Sequence, residues 1–196
     1  MIAPVLLLAA LLATTIAIGA AIGVGGRSSD VARAAASESV HEAAESVGLL
    51  SGVAALGMRE PDDRLLMPVD GVRVRQIADT WGAPRAGGRQ HTGQDIFARR
   101  GTPVYSATDG YVLWVGESPV GGKTVFVLGA GGRRYYYAHL NAHAEGLAAG
   151  DYVTTERALG FVGTTGNAAR TPPHLHFGVY TAAGAINPLP LLADRA

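Results

Sequence analysis

YVLWVGESPVGGKTVFVLGAGGRRYYYAHL, residues 111–140, carries the clearest signal of architecture in the chain. β-Branched and aromatic residues fill YVLWVG (111–116), TVFVLG (124–129) and YYYAHL (135–140), with glycine-rich punctuation between them. Runs of this length and composition, bounded by Gly, Pro and Asp, read as strands, and the GAGGRR turn (129–134) folds one back onto the next. The result is a series of antiparallel hairpins. The same texture continues in GTPVYSATDG (101–110), DYVTTERALGFVGTTG (151–166) and HLHFGVYTAAGAINP (174–188), and no long 3.6-residue periodicity interrupts it. The carboxyl-terminal part, residues 62–196, is therefore expected to be one mainly β domain built on an antiparallel sheet.

Upstream the character changes. VARAAASESVHEAAESVGLLSGVAAL (31–56) is rich in alanine and glutamate, and Ser29 or Asp30 is available to cap a helix start. Residues 27–61 read as a short helical stalk or linker, ending where GMREPDDR (57–64) supplies a proline and clustered charges. His41, among Glu38, Glu42 and Glu45, belongs to a solvated helix face. From Ile2 to Gly26 no side chain is charged. A helix of that length reaches across the ~30 Å hydrocarbon core of a bilayer, so residues 1–26 are expected to be a membrane anchor, with a cleaved signal peptide as the alternative. Arg27 and Arg33 lie just beyond this segment and no basic side chain precedes it, a charge pattern that does not itself favour export of the carboxyl-terminal part.

The composition narrows the chemistry. Lys+Arg and Asp+Glu are both 16, so the net balance gives no pull toward nucleic acid. The chain has no cysteine, which excludes thiolate metal sites, disulfides and a thiol nucleophile. A metal here must be held by nitrogen and oxygen. Lys123 is the single lysine, so lysine chemistry would have to run through it.

Six histidines occur, at 41, 91, 139, 143, 174 and 176. In PPHLHFGVY (172–180), His174 and His176 lie two apart on a strand and project to one face, while Leu175 goes to the other. Pro172 and Pro173 cannot continue a central ladder, so the pair stands where the strand enters the sheet. HTGQD (91–95) places His91 and Asp95 four apart, with Gly93 available to let the backbone bend between them. Together the two motifs offer the three nitrogen or oxygen donors that a catalytic zinc takes, leaving a fourth position open. The spacing leaves open which of His174 and His176 meets the metal. His139 ends a tyrosine-rich strand and could join the same cavity, Tyr135 to Tyr137 alternate faces so that one or two border it, and His143 in NAHAEG (141–146) reads as a loop residue.

Taken in this order and with these separations, HTGQD, GTPVYSATDGYV, YYYAHL and TTGNAARTPPHLHFGVY resemble the lysostaphin-type zinc metallopeptidases, the M23 or LytM-type peptidoglycan endopeptidases. The resemblance covers about residues 64–192 and leaves the anchor and stalk out. It implies a lysostaphin-type fold and one zinc ion, with His91, Asp95 and His176 as metal ligands and His139 and His174 as catalytic groups that do not bind it. No H-E-x-x-H helix is present, so the glutamate base of that other metallopeptidase class is missing and the two histidines are left to handle proton transfer and the oxyanion. Gly178 stands where many members carry glutamate, and TPP (171–173) replaces a glycine before H-L-H; both departures bear on substrate contacts rather than on the metal.

The function implied is zinc-dependent hydrolysis of peptide crosslinks in bacterial peptidoglycan. A stem-peptide crosslink is favoured over a glycine bridge, because a membrane-held location suits a thin-walled envelope. The partners implied are that peptide substrate and, through the amino-terminal segment, the membrane. The location expected is the cell envelope, either anchored in the inner membrane facing the periplasm or secreted to the periplasm. The main alternative is a non-catalytic module of the same fold that regulates or binds a cell-wall hydrolase. A carrier domain is also conceivable from the GTPVYSATDGYVLWVGE hairpin (101–117), but Lys123 lacks the flanking residues an attachment lysine needs, and a non-enzymatic metal-binding β protein is the plainest alternative.

Overall fold

Strands form where the sequence alternates, as the computed structural model, which describes residues 26–195, shows. A helix, α1 (Gly26–Gly57), comes first. After it come the strands β1 (Leu65–Leu66), β2 (Pro84–Arg85), β3 (Arg89–Gln90), β4 (Gln94–Phe97), β5 (Pro103–Tyr105), β6 (Gly110–Ser118), β7 (Gly122–Leu128), β8 (Arg134–His143), β9 (Tyr152–Val153), β10 (Ala158–Val162), β11 (His174–Thr181), β12 (Gly184–Ile186) and β13 (Leu192–Ala193). The expected anchor at residues 1–26 lies, except for Gly26, outside the described residues. No described helix is long and apolar enough to cross a membrane.

The chain divides into two units, Met1–Gly52 and Val53–Ala196. In the first, described from Gly26, the helix carries the exposed His41, whose Nε2 lies 3.1 Å from Glu45 Oε1 one turn on. That is the solvated face its neighbours predict. In the second, nine strands form one sheet with the path β12-β11-β8-β7-β6-β9, to which β4 adds by pairing β11 and β10 by pairing β8 and β5. All of its pairings are antiparallel.

Strand parity separates a dry face from a chemical one. Tyr135 and Tyr137 on β8, Leu175, Phe177 and Val179 on β11, and Val125 and Val127 on β7 are fully buried. Each such side chain contributes on the order of 1.5–3 kcal/mol by leaving water. Between them, on the opposite face, stand His174, His176, Gly178, Tyr136 and Phe126, held opposite one another by the registers His176↔Asp95, His176↔Ala138, Gly178↔Tyr136 and Phe126↔Tyr136. One tyrosine of the three therefore reaches the histidine face. The Tyr137 hydroxyl accepts the Ala107 N–H at 2.9 Å, which supplies the partner a fully buried phenol needs.

His143 departs from its loop assignment. It closes β8, pairs with Gly160 of β10, and its Nε2 lies 3.2 Å from the Thr124 carbonyl. The polar NAH sequence reads as a loop, but the ladder to β10 continues the strand through it. Near the carboxyl terminus Arg195 spreads its guanidinium over the carbonyls of Met67, Thr155 and Ser106 at 2.8, 2.8 and 2.6 Å, tying the last described residue to three separate segments.

Candidate metal centre

Three donor atoms converge at the junction of β4 and β11. His91 Nε2 lies 2.8 Å from His176 Nδ1, and Asp95 Oδ1 lies 3.0 Å from each of them. His91 comes from the loop before β4, Asp95 from β4 itself, and His176 from the directly opposite position of β11.

The tautomers show what such a triangle can hold. His91 Nδ1–H donates to the Thr80 carbonyl at 2.6 Å, so Nε2 presents a lone pair to the centre. A bare ring nitrogen, a second ring nitrogen 2.8 Å away and a carboxylate oxygen repel one another unless a cation or extra protons sit between them. Ligands at about 2.0–2.1 Å from a tetrahedral zinc stand about 3.3–3.4 Å apart, and the edges found here, 2.8 and 3.0 Å, fall about 0.3–0.6 Å short of that. The donor set is nitrogen and oxygen, as zinc accepts. His91, Asp95 and His176 fit the ion.

Surrounding groups fix these donors. Thr80 binds both ends of HTGQD, its carbonyl taking His91 Nδ1–H and its hydroxyl accepting the Asp95 backbone N–H at 2.9 Å. Gln94, fully buried, donates to the Ala78 carbonyl at 2.5 Å and accepts the Thr80 N–H at 3.3 Å. Burial alone would raise the Asp95 carboxyl, but hydrogen bonds from His176, from His91 when its Nε2 also carries a proton, and from Arg85 outweigh it and hold the group ionised well below the ordinary carboxylate range. Burial pushes the His176 imidazole down, against the pull of Asp95.

Gly93 lies at a bend, as read from the sequence, and has a second reason to be glycine. A Cβ there would lie 2.5 and 2.6 Å from Cε1 and Nε2 of His176 and 2.9 Å from the Phe177 carbonyl oxygen. The glycine leaves room for the ring.

Two further imidazoles flank the triangle. His174 Nδ1–H donates to the Pro172 carbonyl at 2.8 Å, and its Nε2 approaches Asp95 Oδ1 to 3.9 Å. His139 Nδ1–H donates to the Thr165 carbonyl at 2.9 Å, and its ring lies 5.1 Å from that of His174 and 5.9 Å from that of His176. In both rings Nε2 is the nitrogen left for chemistry. Burial, then the neighbouring His174 and His176, push His139 from 6.5 down to about 4, so it is neutral at physiological pH. His139 is also the single non-glycine residue with positive φ (63°) among the described residues. A side chain in that region is strained, and such strain concentrates where geometry matters to function. Its backbone N–H donates to Gly121 O at 2.8 Å, which helps hold it there.

All five residues named from the sequence meet here. The sequence reading missed Thr80, Thr165 and Arg85. Thr165 Oγ1 accepts the Lys123 N–H at 2.9 Å and donates to Leu140 O at 2.8 Å, while its own carbonyl orients His139. Arg85 donates to the second oxygen of Asp95 at 2.5 Å. Lys123 itself lies 3.7 Å from Glu117 across the β6–β7 hairpin.

Known proteins resemble this chain in sequence and fold. An L-Ala--D-Glu endopeptidase of Bacillus subtilis is 39% identical over 112 residues, covering 54% of this chain and 34% of its own length. DD-carboxypeptidase/endopeptidase Mpg of Neisseria meningitidis is 37% identical over 121 residues, 61% of this chain and 25% of its own. This chain thus spans a quarter to a third of these relatives. Among solved structures, the catalytic domain of lysostaphin from Staphylococcus simulans matches with a TM-score of 0.53 at 30% identity, over 60% of this chain and 92% of that one. Csd3 of Helicobacter pylori matches with a TM-score of 0.53 at 36% identity, over 64% and 34%. A zinc-containing peptidase from Vibrio cholerae matches with a TM-score of 0.55 at 28% identity, over 70% and 41%. The model of peptidase family M23 matches residues 89–188, the span that holds the three donors and both flanking histidines, and the chain belongs to that family.

Proposed function

We propose that this chain is a zinc-dependent endopeptidase that hydrolyses peptide crosslinks of bacterial peptidoglycan. The observation that carries this is the donor triangle of His91, Asp95 and His176 with two further imidazoles beside it, in a chain of a peptidase family. The chemistry zinc supplies when held by those three residues is that of a Lewis acid, which polarises a carbonyl and makes water acidic enough to attack it near neutral pH. The protein's own groups do the rest. His139 and His174 each keep an Nε2 lone pair beside the triangle, so one ring can take the proton of the attacking water there, and a ring protonated at Nε2 can donate that proton to the oxygen or nitrogen that gains charge. Their Nδ1–H bonds to Thr165 and Pro172 leave Nε2 of each ring as the nitrogen that takes up and gives back the proton. Arg85 donates to Asp95 Oδ2 and so helps keep that carboxylate ionised and able to ligate.

Names of relatives support the substrate class: L-Ala--D-Glu endopeptidase and DD-carboxypeptidase/endopeptidase both specify peptide bonds with a D-residue, whereas lysostaphin is also similar. A stem-peptide crosslink is the bond we assign. The uncharged run from Ile2 to Gly26 supports a membrane anchor, residues 27–61 a stalk, and residues 62–196 the peptidase domain working at the envelope, on the periplasmic side.

The test is to incubate the purified chain with cell-wall sacculi, with and without a chelator, and look for new amino termini. Chelator-sensitive release from stem peptides is the expected result. Full zinc occupancy without any new amino terminus would overturn the enzyme and leave a regulatory module in its place.

A further inference from the structure

Asp95 has two carboxylate oxygens and the structure divides them. Oδ1 stands 3.0 Å from both His91 Nε2 and His176 Nδ1, whereas Oδ2 is 2.5 Å from Arg85 Nη2. Arg85 belongs to a two-strand hairpin, β2 and β3, that precedes His91 directly and is bonded to it, since His91 N–H donates to Ala83 O and Gly82 N–H to His91 O, both at 2.9 Å. The same short segment thus delivers one donor of the triangle and a cation for another.

From this we infer that Arg85 is a positioning residue for the metal centre: it occupies Asp95 Oδ2 so that Asp95 offers only Oδ1, and it fixes the plane of that carboxylate. The inference rests on the zinc reading of the site. A carboxylate beside a divalent ion can bind through one oxygen or both. Binding through both would occupy coordination space that substrate or water needs, since a catalytic zinc keeps one position open. A charged, short hydrogen bond to Oδ2 withdraws that oxygen from competition. Arg85 is not simply a rim ion pair, because its partner is nearly dry: the Asp95 side chain is 8% exposed, against 42% for Arg85. An exposed pair with a fully hydrated carboxylate would do little. Here the guanidinium reaches in from solvent to a nearly buried carboxylate, whose backbone N–H is separately held by Thr80.

Three versions of the chain decide it: Arg85→Met, Arg85→Lys and the parent. Zinc affinity is measured by competition with a chromophoric chelator, and the coordination number is read from the visible absorption of the cobalt(II)-substituted protein. Arg85→Met is expected to bind zinc roughly 10- to 100-fold more weakly, the range typical of losing a partner that orients a ligand. Its cobalt band should also weaken and shift toward that of a five-coordinate ion as Oδ2 becomes free to bind. Arg85→Lys, which keeps the charge without the fork, should restore part of both. Circular dichroism of the metal-free proteins controls for folding: Arg85→Met should stay folded but melt somewhat below the parent, because the nearly buried Asp95 carboxylate loses its charged partner. If zinc affinity and cobalt spectrum of Arg85→Met equal those of a parent that binds zinc tightly, Arg85 has no role at the centre. If the parent itself binds no zinc, the reading of the site fails instead, so the two failures are distinct.

Discussion

Replacing Gly93 by alanine tests the centre with the smallest possible change. The added methyl would lie 2.5 and 2.6 Å from two atoms of the His176 ring and 2.9 Å from the Phe177 carbonyl oxygen. Carbon atoms rest at about 3.5–4.0 Å, so the ring must retreat by about 1 Å, because the carbonyl on the methyl's other contact is backbone and cannot. Metal-to-ligand distances tolerate only about ±0.2 Å. His176 Nδ1 should therefore leave the triangle, and zinc affinity should fall at least as far as in Arg85→Met, by roughly 100-fold or more. The metal-free protein should lose about 1–3 kcal/mol from the overpacking, a drop of a few to about ten degrees in Tm. Gly132→Ala is the control: its φ of 70° strains a side chain but nothing lies within 4 Å, so it should cost stability without touching zinc. Zinc titration of the two purified variants, with a melt of each metal-free protein, gives the comparison. A Gly93→Ala protein that binds zinc as tightly as the parent would refute both the space argument and the assignment of His176 as a ligand.

His176→Ala should depress zinc content and turnover together, whereas His139→Ala and His174→Ala should depress turnover by orders of magnitude and leave zinc content near the parent's; metal analysis beside sacculus digestion separates the classes. Thr165→Val removes the hydroxyl that accepts from Lys123 N and donates to Leu140 O, so the loop carrying the His139 acceptor should loosen. Turnover should fall about tenfold or more with zinc unchanged, and Thr165→Ser should restore it. For pH, the folded His139 titrates near 4 and an unperturbed histidine near 6.5, so the unfolded chain binds the proton first. Stability from this group is complete above about 6.5 and is lost as pH falls toward 4. In melts of the metal-free protein the Tm should decline across that window, and His139→Gln should show a shallower decline.

Legibility in the sequence divides along the range of the interaction. Strand parity is local: His174 and His176 share a face because they are two apart, and Leu175 and Phe177 go to the core for the same reason. The H-x-G-x-D spacing is local too, so His91 and Asp95 can be named as a pair. Which histidine of H-x-H meets the metal depends on the register against β4, which no spacing within β11 encodes. The positioning groups escape for another reason. Thr80 orients His91 and Thr165 orients His139 through a backbone carbonyl, a group every residue carries, so those two contacts leave no residue-type mark, and their hydroxyls act only on backbone groups distant in sequence. Arg85 acts through its side chain, yet its partner lies ten residues on, across a hairpin too short to show in a pattern. The bend at Gly93 is legible, but the tighter constraint on it is not: its φ lies outside the positive range, and what excludes a side chain is a ring from a distant strand.

The register of β11 is what turns two separate motifs into one site, and the force that sets it lies on the opposite face of the sheet. Asp95 and His176 are cross-strand partners. A slip of one residue would turn His174 and His176 into the core and bring Leu175, Phe177 and Val179 out. Those three are fully buried, and exposing them would forfeit on the order of 5–9 kcal/mol, comparable to the whole stability of an ordinary domain. Two buried imidazoles without partners would add to that cost. The metal therefore need not hold the strands in place. The apolar face sets the register that puts His176 Nδ1 3.0 Å from Asp95 Oδ1, 81 residues away in the chain. Chelation should then abolish activity while leaving the sheet folded, unlike a structural zinc domain, which unfolds without its metal. Far-ultraviolet circular dichroism of the protein before and after chelator should show no loss of strand signal; unfolding on chelation would mean that the ion, and not the core, sets the register.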